Sequence, residues 1–240
     1  MNYLKGFALA FNMLSIIPFF KVHHFFDGIN GYSAMFYPLV GFILGSFLYG
    51  FHLLISPFFP SLHEGVLVFT LWVIITGAIH LDGLSDTIDG LFVSKEKALG
   101  VMKDSHVGGM GMLFSATFLL LKLSSLLHLQ NYALLPFILM LSRFNAISAI
   151  YFFPYVSSGV GSLLKKEFTW NYFLIAFVFT TSLVFSYSSF FLLFLALSVV
   201  VLVGVFFTRR LGGLSGDIYG FLIELSEVVF LNYFIVSMAL

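Results

Sequence analysis

The sequence predicts an all-α fold, a polytopic helical membrane bundle of about seven spans preceded by an N-terminal embedded or re-entrant segment. Three observations carry this. Hydrophobic residues make up 60% of the 240 positions and charged residues only 9%, too little polar surface for a soluble domain of this size. Apolar runs of about 20 residues recur, the length that crosses the hydrocarbon core as a helix. Strand-type alternation is absent, which leaves helices as the way to satisfy the backbone in lipid. The chain reads as a single integral-membrane domain, 1–240. It has no cysteine, which excludes disulfides and thiolate metal sites. A net charge of zero offers no footprint for nucleic acid.

Each element follows from the order of apolar runs and breakers. The N-terminus, "MNYLKGFALAFNMLSIIPFF", has one early lysine and a greasy stretch, but no small-residue cleavage site. Bulky aromatics stand where cleavage would occur, so the segment is retained in the membrane. Spans follow at roughly 31–56, 62–81, 108–130, 131–153, 168–187, 189–208 and 220–240. Pro57 and Pro60 mark one turn, Pro154 with Gly159 and Gly161 a second, and "LGGLSGD" at 211–217 a third. Lys21, then Lys95, Lys97 and Lys103, then Lys165 and Lys166, then Arg209 and Arg210 fall in alternate loops. The loops between them, near 57–63, 129–131 and 187–189, have no Lys or Arg. The positive-inside rule therefore places the basic loops in the cytoplasm and the C-terminus outside.

The acids concentrate on that same side. Of eleven Asp and Glu, seven lie in two segments: Asp82, Asp86, Asp89 and Asp104, then Asp217, Glu224 and Glu227. On a helix, Asp82, Asp86 and Asp89 stand at i, i+4 and i+7 and share one face. One acid within a span costs about 2.5–3.5 kcal/mol on insertion scales. A stripe of three requires positive charge or protonation. Oxygen ligands without cysteine favour a hard cation, Mg²⁺ first, which is commonly shared with substrate phosphates. Asp217, Glu224 and Glu227 extend the candidate metal set, because a helix starting near 217 turns them to one side.

The neighbouring stretch "KEKALGVMKDSHVGGMG" (95–111) fits a phosphorylated ligand. Lys103 suits phosphate, Asp104 suits a general base, and the glycines at 108–111 open a span whose free N–H groups suit an anion. His80 and His106 bracket the acids as candidates for proton transfer. Arg209 and Arg210 are candidate phosphate ligands, with membrane anchoring as the plain alternative. Arg143, a cation inside a span, is either a substrate contact or half of a buried ion pair.

"HLDGLSDTIDGLF", "VMKDSHVGGMG" and "RRLGGLSGDIYG", with a following "IELSE", resemble the cobalamin synthases, the adenosylcobinamide-GDP ribazoletransferases. "FYPLVGFILG" and "LSRFNAISAIYFFPYVSSGVG" add to the likeness, which covers nearly the whole chain. Two places depart from the family: "MLSIIPF", where an arginine usually precedes the proline, and "DSHVGGMG", where an aromatic more often follows the glycine. The resemblance implies a Mg²⁺-dependent multi-pass enzyme of the cytoplasmic (inner) membrane with its site facing the cytoplasm. It implies adenosylcobinamide-GDP and α-ribazole, or its 5′-phosphate, as substrates, and leaves room for a homo-oligomer. Under it, Asp82, Asp86 and Asp89 hold Mg²⁺, Asp104 takes the nucleophile's proton, and Lys103, Arg209 and Arg210 steady phosphate.

Two other readings compete. "DTIDG" matches the first half of the CDP-alcohol phosphotransferase motif, but Val93 and Ser94 replace its Ala-Arg pair and Gly108 stands at its last aspartate. A divalent-cation transporter would also carry intramembrane acids. Here they gather at one membrane face amid basic residues, which opposes cation passage.

Overall fold

Proline and glycine punctuate the apolar chain into helices. The computed structural model describes residues 2–17, 22, 26–104, 106–186 and 190–239. Among them are α1 (Asn2–Leu14), α2 (Ile29–Met35), α3 (Tyr37–Ile55), α4 (Ser61–Ile75), α5 (Ile79–Leu91) and α6 (Lys95–Val101). There follow α7 (Gly109–Leu127), α8 (Leu135–Phe152), α9 (Val160–Glu167), α10 (Trp170–Ser186), α11 (Phe190–Leu211) and α12 (Gly216–Ala239). Pro38 and Pro136 stand in the first turns of α3 and α8, where a missing N–H costs no intrahelical bond. Lys21, Pro18 of "MLSIIPF", Ser105 and the turn at 187–189 lie outside the described residues.

Among the described residues, five helices are long and apolar enough to cross a membrane, and two bent pairs, each a broken span or a re-entrant loop, bring the number to as many as seven. The protein is a multi-pass helical membrane protein. The predicted spans correspond to these seven units, with two differences. The span at 62–81 ends at Ile75, and α5 leaves α4 at 81°. The break is made by left-handed backbone at Gly77 (φ 62°) and Ala78 (φ 53°), and the Ile75 carbonyl freed there accepts the Ile16 N–H at 2.9 Å. The span at 168–187 is preceded by α9, bent from α10 by 91°. At 13 residues, α1 spans about 20 Å and is too short to cross.

The two ends of the bundle differ. At one, His52 stacks on Tyr132 with ring centroids 4.5 Å apart and its Nδ1 meets Glu64. At the other, the loops after α5, α8 and α11 interlock. Val156 N–H donates to the Leu214 carbonyl and Leu214 N–H to the Pro154 carbonyl, at 2.9 and 2.8 Å. Arg210 Nη2 donates to the carbonyls of Leu91 and Val93, both at 2.9 Å. The basic segments 95–103, 165–166 and 209–210 thus share one end, as the alternation of charge along the chain predicts.

The axis is α8, buried without interruption from Ile138 to Ile150. It carries Arg143, which is fully buried and bonded to Glu227 of α12. Glu227 also meets Lys122 of α7, whose Nζ donates to Glu224 at 2.7 Å. Lys122 lies 4.4 Å from the ring centre of Trp72 on α4. Two cations and two anions make this inclusion neutral, and it joins four helices. Burial of single charges in lipid is prohibitive, so each member is tolerable only with the others present.

Removing one member leaves its partners uncompensated. Lys122→Met or Glu227→Gln is expected to cost about 3–5 kcal/mol, read as earlier thermal unfolding in detergent. The double variant Lys122→Met/Glu224→Gln is expected to lose less than the sum of its two single losses.

Candidate active site

The acidic stripe on α5 is held by glycines. A Cβ on Gly83 would stand 2.8 Å from the Asp217 carbonyl, and one on Gly220 would stand 3.1 Å from the His80 carbonyl. Helices α5 and α12 therefore meet backbone to backbone, the close approach that small residues permit in membrane bundles. Asp82 and Asp86 flank Gly83, so the same contact brings Asp217 to them. Asp86 lies within the field of Asp82, Asp217 and Asp89, and Asp217 within that of Asp82 and Lys103. Asp82 is exposed, Asp86 and Asp217 half-buried, and Asp89 buried. Among the described residues, Asp82, Asp86 and Asp217 have no salt bridge. Asp217 takes a 3.2 Å hydrogen bond from Ser215 Oγ.

Asp89 has a different task from the one the stripe predicts. Its Oδ2 accepts the Gly108 N–H at 2.8 Å and its Oδ1 the Gly111 N–H at 2.7 Å. A Cβ on Gly108 or Gly111 would stand 2.4 or 2.3 Å from that carboxylate. The glycine-rich helix start, expected to suit the anion of a ligand, here donates to the Asp89 carboxylate. Each oxygen takes one N–H, and through these two bonds Asp89 anchors the start of α7 to α5.

This anchor also adjoins residues 103–104 and 106–107. Gly108 is bonded to Asp89 on one side. On the other, the Met102 side chain packs where a Cβ on Gly90 would lie. Among these residues, His106 Nδ1 is 2.7 Å from Asp104 Oδ1, and the His106 N–H donates to the same oxygen at 3.0 Å. These bonds hold the Asp104 carboxyl below its usual range. Both side chains are largely exposed. Lys103 borders a cavity of about 450 Å³ with Tyr155, Ser157, Gly216 and Asp217.

Several predicted site residues lie elsewhere. Glu224 and Glu227 sit about 10–15 Å deeper along α12 than Asp217 and are ion-paired to Lys122 and Arg143; their charge is already balanced. Arg143 is buried and paired with Glu227, the ion-pair reading of the two. Arg210 closes the C-terminal end of α5 through two carbonyls. Arg209 is exposed beside an apolar groove formed with Val205 and Phe206 of α11, the setting of a boundary anchor. His80 is buried, and lies two residues before Asp82, about 160° around α5. It borders an interior cavity with Tyr37 and Tyr219, facing away from the acidic stripe. The residue that sequence reading missed is Lys122. A lone lysine within "LLLKLSSLL" is the signal that would have pointed to it.

The residues free to act are thus Asp82, Asp86, Asp217, Lys103, Asp104 and His106, around one end of the bundle. Among the described residues, no group of three or more His, Asp or Glu side chains forms a ready metal cage. Carboxylates without a cation partner, next to a lysine-bearing cavity, suit the mode in which one or two acids hold Mg²⁺ and substrate phosphates complete the shell.

Residues 6–235 match the family described as cobalamin-5-phosphate synthase, CobS. Relatives named adenosylcobinamide-GDP ribazoletransferase include one from Desulfitobacterium hafniense (strain Y51), 38% identical over 213 residues, covering 83% of this chain and 84% of the relative. Another, from Desulforamulus reducens (strain ATCC BAA-1160 / DSM 100696 / MI-1), is 35% identical over 239 residues and covers 95% of both chains. One from Acinetobacter baumannii (strain ACICU) is 32% identical over 246 residues and covers 98% of both. No solved structure matches the chain.

The anchoring role of Asp89 separates it from its neighbours on the stripe. Asp89→Ala removes two hydrogen bonds to a charged acceptor, and trypsin cleavage after Lys103 is expected to accelerate about tenfold or more. Asp82→Ala is expected to leave that cleavage rate unchanged.

Proposed function

We propose, from the premise that the chain belongs to the cobalamin-5-phosphate synthase family, that it joins α-ribazole or its 5′-phosphate to adenosylcobinamide-GDP. The products are adenosylcobalamin, or its 5′-phosphate, and GMP. The chain is an enzyme of cobalamin biosynthesis, a phosphotransferase built in a membrane. The observation that carries the reading is the set of uncompensated carboxylates, Asp82, Asp86 and Asp217, gathered beside Lys103 at the basic end of the bundle. Positive charge on that end supports a cytoplasmic orientation in the inner membrane, the side on which a nucleotide-linked substrate is met.

In the reaction, a hydroxyl oxygen of the acceptor nucleoside attacks the cobinamide-side phosphorus of the diphosphate. The new P–O bond forms as the bond to the bridging oxygen breaks, and GMP departs with that electron pair. Asp82, Asp86 and Asp217 would hold Mg²⁺ shared with the diphosphate. When bound, that ion supplies charge neutralisation for the phosphoryl oxygens and the leaving GMP. Lys103, beside Asp217, steadies phosphate charge through a mobile side chain. The proton of the attacking hydroxyl passes to the Asp104–His106 pair. His106 is the acceptor in this scheme, and Asp104 orients the imidazole through Nδ1.

Purified protein in detergent, given adenosylcobinamide-GDP, α-ribazole and Mg²⁺, is expected to release GMP, and EDTA is expected to stop it. Alanine at Asp82, Asp86 or Asp217 is expected to lower turnover by at least about 10²-fold with normal membrane insertion. Near-normal turnover in two of the three variants overturns the assignment. His106→Ala is expected to reduce kcat about 10²-fold or more with KM little changed, and a KM effect alone would remove His106 from proton transfer.

A further inference from the structure

Beyond the acidic stripe, six helices enclose a cavity of about 190 Å³ at their convergence. Its wall is mainly aliphatic, with Leu14 of α1, Ile150 of α8 and Ile223 of α12. Three larger side chains complete it: Tyr37, His80 and Tyr219. These are 5%, 5% and 7% exposed. The Tyr37 hydroxyl reaches Met13 Sδ at 3.6 Å. Among the described residues, His80 Nε2 and the Tyr219 hydroxyl have no hydrogen-bond partner. Folded proteins rarely leave such groups unsatisfied, and each one calls for an explanation. Two of them bordering one cavity point to a ligand that supplies the missing partner.

The cavity adjoins the catalytic end. It shares Val160, Gly161 and Gly216 with the polar cavity that holds Lys103 and Asp217. The rings of Tyr219, on the inner cavity, and Tyr155, on the outer one, stack with centroids 6.0 Å apart. A single ligand reaching across that boundary would have a planar, largely apolar end with one or two hydrogen-bonding atoms, and a polar end near the carboxylates.

We propose that this inner cavity binds the aromatic base of the acceptor nucleoside, whose one acceptor nitrogen takes the hydrogen bond of the Tyr219 hydroxyl, with His80 beside it. The proposal rests on the transfer reaction inferred above. Size and chemistry select this part of the substrates. A cavity of about 150 Å³ accommodates benzene, so about 190 Å³ suits a small aromatic base and is far too small for a corrin ring. Guanine carries donors and acceptors along most of its edge and would leave them unpaired against Leu14, Ile150 and Ile223. A benzimidazole-type base offers an apolar fused ring and a single acceptor nitrogen. Its ribose would then emerge beside Gly216 and Asp217, where the attacking hydroxyl is needed.

The test measures each substrate separately in full-length protein purified in detergent. Ala146 lines the cavity, and Ala146→Leu reduces its volume; Tyr219→Phe removes only the unpartnered hydroxyl. Both variants are expected to raise KM for α-ribazole at least tenfold and leave KM for adenosylcobinamide-GDP within twofold. Direct binding of α-ribazole without the second substrate, followed by calorimetry, is expected to weaken in parallel. If Ala146→Leu fails to fold, Tyr219→Phe alone decides. A rise confined to KM for adenosylcobinamide-GDP would assign the cavity to the guanine and overturn the proposal, as would unchanged constants for both substrates. Failure of the wild-type protein to release GMP would instead overturn the reaction reading, while α-ribazole binding that is sensitive to Tyr219→Phe would still support the cavity as a base site.

Discussion

The contact on which the site depends is the backbone-to-backbone approach of α5 and α12 at Gly83 and Gly220. Neither helix carries the site alone. Asp82 and Asp86 belong to α5 and Asp217 begins α12, and only a crossing without intervening side chains lets their fields overlap. A Cβ at either glycine would push against main-chain atoms that have no rotamer by which to yield. The site is thus a product of the narrowest point in the bundle, and the residues with no side chain are what position those with charge.

That crossing would be strained by its own charge if nothing fixed the helices. Two devices counter the repulsion. Deeper along α12, Glu224 and Glu227 bind Lys122 and Arg143, which ties α12 to α7 and α8 through interactions that a low-dielectric interior strengthens. At the far end of α5, Asp89 is bound by the first turn of α7, and Arg210 closes the helix C-terminus. The uncompensated acids are therefore held at one place by acids that are fully compensated elsewhere. A cation-conducting path would need the deeper carboxylates free, and here they are locked to fixed cations.

Much of this was legible in the chain. Run lengths and proline positions located the five long apolar helices and the two bent pairs, and alternation of lysine and arginine located the common end. The 3.6-residue period put three aspartates of α5 on one face. Periodicity says which direction a side chain takes from its own helix and nothing about what stands opposite. Asp89 shares the face of Asp82, yet it meets the glycine turn of α7 one step further along. Glu224 shares the face of Asp217, yet it lies at a depth where Lys122 waits. Arg143 was open to either reading, and the structure pairs it with Glu227. His80 shows the converse: neighbours in sequence to an acidic stripe, two residues apart, point to opposite sides of a helix.

Seen as a whole, the acids divide by what they meet, and what they meet is set by depth. In the bundle interior an acid must carry its own cation, so Glu224 and Glu227 are spent on structure. At the rim an acid can accept backbone N–H groups from a helix start, as Asp89 does, and hold a loop in place. Only at the mouth, where water and a soluble substrate reach, can carboxylates stand without protein partners, because there a dissociable charge can satisfy them. The same reasoning applies to the neutral polar groups of the adjoining cavity. His80 and Tyr219 border a cavity behind the mouth, and a ligand that enters it can supply the hydrogen bonds they lack. Charge at the mouth and unsatisfied hydrogen bonds behind it describe one ligand with an anionic reaction partner on one side and a dry aromatic group on the other.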